Sequence, residues 1–161
     1  MSREELLQEL KNGIIEDAVK EGVNEDTIKF AKKFGVYLAT TTNCQIIRNG
    51  CEAKLTIKKL TTNQVRKFFG EVKHQQMAGY NLNSFVLLKP KLAYAVGRSE
   101  KKEDKKNKEY IENKIIDFYN VMSTAIDAVI SEGKKGNEEA FKNFIAIFES
   151  IVAYHKLAEN S

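Results

Sequence analysis

Two histidines, two cysteines and a basic central stretch are the residues of this 161-residue chain with chemistry to offer. His74 and His155 are its only imidazoles, and Cys44 and Cys51 its only thiols. Together they would make four zinc ligands, but no close pair has the Cys-x₂₋₄-Cys or His-x₃₋₅-His spacing of a zinc site. A histidine acting as general base needs a positioned partner, and the sequence offers none. Glu16-Asp17 and Glu25-Asp26 are neighbouring carboxylates of the kind common on helix surfaces and caps. No glycine-rich phosphate loop is present. These absences point away from catalysis, and neither a metal nor a cofactor is expected. His155 continues an apolar helical stripe and is expected to pack in the core. His74 adjoins the basic residues, where it would meet a phosphate or a base.

The cations carry more information. The formal net charge of +4 hides a division along the chain. From Lys54 to Lys108 there are fourteen Lys/Arg against four Asp/Glu, a balance of +10, while the remainder stands at −6. A basic middle between acidic flanks suggests a local polyanion site. Arg66, Lys67, Lys73, Lys89, Lys91 and Arg98 form its centre, and Lys58 and Lys59 precede them. Arginine suits bidentate contact with phosphate. The competing role for Arg66 or Arg98 is an ion pair within the chain. Among the aromatics, the helical spacing of Phe68, Phe69 and Tyr94 favours core packing. Tyr80, beside Gly79 in a turn, is the better candidate for stacking on a base.

Two segments must position these cations. The first opens at Thr61-Thr62-Asn63-Gln64, with the spacing of a capping box. Val65, Phe68, Phe69 and Val72 follow as one apolar stripe, leaving Arg66, Lys67 and Lys73 off it. This predicts a helix from Thr62 to about Gly79. The second segment holds the only proline. Pro90 suits a first helical turn, so a short helix is expected over Lys91 to Val96, framed by Pro90 and Gly97. Each segment has an apolar stripe, so the two are expected to pack side by side with their charges on one face.

Leu60-Thr61-Thr62-x-Gln64-x-Arg66-Lys67-Phe68, followed by Leu88-x-Pro90-Lys91-Leu92-Ala93-Tyr94-Ala95-x-Gly97-Arg98, resembles the small subunit of type III-A CRISPR effector complexes, the Csm family. The likeness covers roughly residues 60 to 155; the segment from Thr40 to Lys59 carries none of it. The resemblance implies a ribonucleoprotein subunit without catalytic residues of its own. Several copies would stack as a filament along guide RNA and target RNA, beside the other subunits of the effector complex. The basic surface would follow the RNA backbone without reading sequence. Type III-B complexes contain an analogous helical small subunit; the Pro-Lys-Leu-Ala-Tyr-Ala-x-Gly-Arg motif favours III-A. A helical adaptor that binds only proteins, and a small metal-dependent nuclease, are the competing classes.

The remaining chain reads as helix. Leu6, Leu7, Leu10, Ile14, Ile15, Ala18 and Val19 give a stripe over residues 3 to 20, ended by Gly22. Asn24 is a good N-cap for a second helix to about residue 40, and the short connection suggests an antiparallel pair. Ile111, Ile115, Phe118, Met122, Ala125 and Val129 form a heptad seam of a later helix. Asn137 caps the last, with Phe141, Phe144, Ile145, Phe148, Ile151 and Val152 on one face. Two stretches lack that pattern. Residues 40–59 are expected as an irregular or mobile connection: either a small hairpin, signalled by Asn49-Gly50, or a loop with a short helix near Ala53. Residues 99–108 are expected as a charged loop or the exposed start of the next helix. The fold expected is all-α, a compact bundle of about five to six helices in one domain over 1–161. No apolar run is long enough to cross a bilayer. The amino terminus lacks the apolar core of a signal peptide, so a cytoplasmic protein with free thiols is expected.

Overall fold

A computed structural model describes residues 1–160. Eight helices and four strands follow in the order α1 (Arg3–Lys11), α2 (Ile14–Glu21), α3 (Glu25–Leu38), β1 (Thr42–Arg48), β2 (Cys51–Lys58), α4 (Thr62–Ala78), α5 (Leu82–Val86), α6 (Leu88–Arg98), β3 (Lys102–Asp104), β4 (Glu109–Asn113), α7 (Ile115–Lys134) and α8 (Ala140–Glu159).

The all-α expectation is therefore corrected. Helix dominates, but a four-stranded mixed sheet of order β1-β2-β4-β3 stands beside it. Residues 40–59 hold the hairpin β1–β2, one of the two forms expected there, and not an irregular connection or a helix near Ala53. Asn49 and Gly50 both adopt positive φ, 54° and 74°. That is the two-residue turn whose twist matches its strands. Ala53, Leu55 and Ile57 alternate inward along β2. A period of two cannot serve a helix face. The stretch 99–108 forms β3 and the turn into β4, neither a plain loop nor the start of a helix.

The sheet also shortens the expected heptad helix. Ile111 lies in β4, where it pairs with Thr56 of β2 in parallel register. Lys114 N donates to Lys58 O at 2.9 Å. These bonds draw residues 109–114 into the ladder. Helix α7 starts only at Ile115, whose N–H donates to Asn113 Oδ1 at 2.8 Å. The single helix expected over residues 3–20 is two helices. Gly13, at φ +83°, breaks it. The stripe breaks with it: Leu6, Ile15 and Val19 are buried, whereas Leu7 stays exposed.

The main core lies among α2, α3, α7 and α8, with α4 to α6 closing one side. Phenylalanines dominate it. Phe68 meets Phe118 edge-to-face at 5.6 Å and Phe148 at 5.5 Å. Helix α3 packs chiefly along α8, so its partner is not the sequence-adjacent α2. His155 is buried on α8, its Nε2 2.7 Å from Leu60 O, as a packed histidine should be. This bond anchors the chain just ahead of α4.

A polar cluster ties the amino terminus to the sheet and α7. Arg3 reaches Asp117 through Nε at 3.0 Å and Glu112 at 2.9 Å. Tyr37 donates its hydroxyl to Asp117 at 2.8 Å. Lys114, fully buried, donates to the carbonyls of Tyr37 and Thr40. Burial lowers its pKa to about 8, although Asp117 pulls the other way.

Candidate nucleic-acid interface

Helix α4 begins as its sequence demands. Gln64 N donates to Thr61 Oγ1 at 3.3 Å, and Thr61 N donates to Gln64 Oε1 at 2.9 Å. That reciprocal cap fixes the first turn. Val65, Phe68 and Val72 are buried, and Phe69 packs at the edge of the core. With that face inward, Arg66 and Lys67 are exposed. Helix α6 extends beyond the expected six residues at both ends. It starts at Leu88, so Pro90 is its third residue, still in the first turn, and Gly97 lies inside it. Leu88 and Leu92 are its buried anchors.

The two helices pack on one another and leave a groove of about 760 Å³. Phe68, Leu92 and Ile115 contribute its apolar floor, and Lys67, Lys91 and Arg98, with the carboxylate of Glu71, its charged lining. Arg66 sits one residue along α4 and does not line it. Tyr94, expected in the core, is instead 68% exposed on the groove wall. The Arg98 guanidinium lies 5.5 Å from its ring centre, a cation–π contact. Tyr94 shares a helix with Leu92 but not its buried face, so helical spacing alone misplaced it. Tyr80 is half exposed but packs on Phe85 and Phe141 at 5.5 and 5.1 Å.

The eight basic residues divide by their partners. Lys58 meets Glu100 at 2.6 Å and Lys59 meets Glu159 at 3.5 Å. Lys73 pairs with Glu149 on α8 and lies over Phe69. Lys89 reaches Asp127 of α7 at 2.8 Å, and Lys91 reaches Glu71 of α4 at 2.7 Å. Among the described residues, Arg66, Lys67 and Arg98 have no carboxylate within ion-pairing distance. The ion pairs weighed for Arg66 and Arg98 are therefore not formed. Exposed pairs such as Lys91–Glu71 are worth little, so their lysines can exchange a carboxylate for a phosphate at small cost.

Sequence reasoning passed over Asn63 and Ser99, which also line the groove. Their only signal was position: one precedes the first-motif cations and the other follows Arg98. That reasoning counted the lysines beyond Arg98 in the basic stretch but named none of them as a site residue. Lys101 and Lys102 approach and enter β3, and Lys105, Lys106 and Lys108 lie in the exposed turn to β4.

Nothing in the described residues suggests a metal centre, since no three His, Cys, Asp or Glu side chains are grouped to hold an ion. Cys44 and Cys51 are free thiols on different strands. His74 is exposed on α4. Among the described residues no helix is long and apolar enough to cross a membrane.

No curated protein and no solved structure matches the chain. A family model does. The family described as Csm2 Type III-A matches residues 47–161, from the end of β1 through the last helix, so it takes in both motifs and the groove between them. This chain belongs to the Csm2 type III-A family, the small subunits of type III-A CRISPR effector complexes.

Proposed function

We propose that this subunit is a non-catalytic RNA-backbone guide. RNA lies across the exposed sides of α4 and α6, and several copies stack along the guide RNA and its bound target RNA in the cytoplasm. One observation supports this most. The three cations left without carboxylate partners, Arg66, Lys67 and Arg98, belong to the two motif helices, and two of them rim the groove between those helices. Unpaired cations on a rigid, capped frame release counterions when phosphate arrives and lose little on binding. Lys58, Lys89 and Lys91 sit in exposed pairs and can turn from a carboxylate to a phosphate, whereas Lys59 and Lys73 sit in partly buried pairs. Guide pairing carries sequence specificity, and other subunits carry the chemistry.

A second reading has one observation in its favour. The floor of the groove is apolar, which suits a helix or side chain of a neighbouring subunit. Filter binding to unstructured RNA at several salt concentrations separates the two. The RNA reading expects binding that weakens steeply with salt and ignores sequence. A protein-only adaptor would hold no RNA at low salt, yet would still join the other subunits when the complex is reconstituted.

A further inference from the structure

The sheet ends in two edge strands of opposite character. β3 is three residues long and entirely charged, Lys102-Glu103-Asp104. A short charged edge resists pairing with other chains. β1 is seven residues long, Thr42-Asn43-Cys44-Gln45-Ile46-Ile47-Arg48, with one charge at its end and no proline. Ile47 on it is 75% exposed. Nothing in its composition blocks a further strand.

The hydrogen bonds say which backbone groups of β1 are free. Lys54 N donates to Lys108 O, and Lys58 O accepts from Lys114 N, so Lys54 and Lys58 of β2 turn toward β4 and away from β1. Backbone direction alternates along a strand. Cys51, Ala53, Leu55 and Ile57 therefore bond β1, through their partners Arg48, Ile46, Cys44 and Thr42. Asn43, Gln45 and Ile47 point their N–H and C=O groups outward, where the sheet has no strand.

We propose that β1 is a two-fold docking edge for a second copy of this chain. The free set is centred on Gln45. Antiparallel pairing about Gln45 places Gln45 opposite its own counterpart and Asn43 opposite Ile47, so every outward group finds a partner. The same register sets Arg48 against neutral Thr42, and no like charges meet. It sets Cys44 against Ile46, both half-buried beside the small cluster of Ala53, Leu55, Ile57 and Tyr110. Joining two copies runs that cluster across an eight-stranded sheet. A foreign strand would satisfy the backbone equally but has no reason to match this centre. The contact is isologous and closed, whereas stacking along RNA is open, so the two use different surfaces. It does not depend on the RNA reading.

Residues opposite one another in a hydrogen-bonded antiparallel pair have Cα atoms about 5.5 Å apart, within disulfide reach. Gln45→Cys, in a Cys44→Ser/Cys51→Ser background, should form a covalent dimer on mild oxidation. Ile47→Cys in the same background should not, because it faces Asn43. The parent protein should show weak, concentration-dependent dimers by sedimentation equilibrium. Gln45→Pro removes one outward N–H and no β1–β2 bond; it should weaken dimerisation at least ten-fold, with unchanged circular dichroism and RNA binding. A parent that stays monomeric at high concentration overturns the proposal. So does a dimer indifferent to Gln45→Pro, or one that cross-links through position 47 rather than 45.

Discussion

Gly35 of α3 touches Tyr154 of α8 so closely that a methyl group at position 35 would sit 2.7 Å from Tyr154 Cβ and 2.7 Å from His155 N. The obstacle is largely backbone, so it cannot swing aside. This crossing takes in the backbone of His155, the histidine that holds Leu60. Gly35→Ala should therefore destabilise by roughly 1–3 kcal/mol, as overpacking does, despite alanine's better helix propensity. A thermal melt checks this; an unchanged or raised Tm would mean that the two helices separate freely.

Phe118 and Pro90 test the placement of the core against that of the site. Phe118 is buried between α4 and α7, edge-on to Phe68. Phe118→Ala should cost about 3–5 kcal/mol. Pro90 is exposed in the first turn of α6, on the lining of the groove. Pro90→Ala should change stability little while loosening the display of Lys89, Lys91 and Arg98. Denaturant titrations of both variants compare them directly, and greater damage from the proline change would contradict this layout.

Lys114 and Tyr37 give the fold a pH signature. Burial holds the Lys114 ammonium down at about 8, against 10.5 when free. Between those values the unfolded chain binds the extra proton, so stability should rise with pH from about 8. Below that range the lysine is charged in both states and contributes no slope. Tyr37 acts the other way. Burial first, then the Asp117 carboxylate, raises its phenol above the ordinary 10.0. Above pH 10 the unfolded chain loses that proton first, and stability should fall. Urea titrations from pH 7 to 11 should show the rise and its reversal. Lys114→Met should abolish the rise and keep the fall.

Much of this was legible in the sequence, for local reasons. The Thr61–Gln64 cap, the α4 stripe and the phenylalanine face of α8 are patterns of side chains a few residues apart, and each appears where expected. The sheet beyond its hairpin was not legible because the pairing of β2 with β4 is long-range. Ile111 continues the α7 stripe by spacing alone, and only β2, more than fifty residues earlier, withdraws it into a strand. Asn49-Gly50 did signal the β1–β2 hairpin as one of two readings, and Ala53, Leu55 and Ile57 alternate, but Thr40-Thr41-Thr42 made the stretch look irregular. The cations of the groove were legible as charges. Which of them lack partners was not, since Glu100, Asp127, Glu149 and Glu159 come from elements far along the chain. Tyr94 was misplaced because helical spacing says which residues share a face, not which face turns inward.

Lys67 and Arg98 are the two cations on the groove rim without a carboxylate partner among the described residues, and RNA lying across α4 and α6 would meet them first. The most direct measurement is the salt dependence of binding to an unstructured RNA by the parent, by Lys67→Glu/Arg98→Glu, and by the control Lys11→Glu/Lys142→Glu on the acidic flanks. Each lost phosphate contact removes roughly 0.7 from the slope of log K against log salt. The rim variant should bind more weakly for every RNA sequence alike, with a slope shallower by about 1.4 and an unchanged helical circular-dichroism signal. The flank control should stay close to the parent. If the rim variant binds as tightly as the parent with the same slope, RNA does not lie across α4 and α6, and the groove serves a neighbouring protein instead.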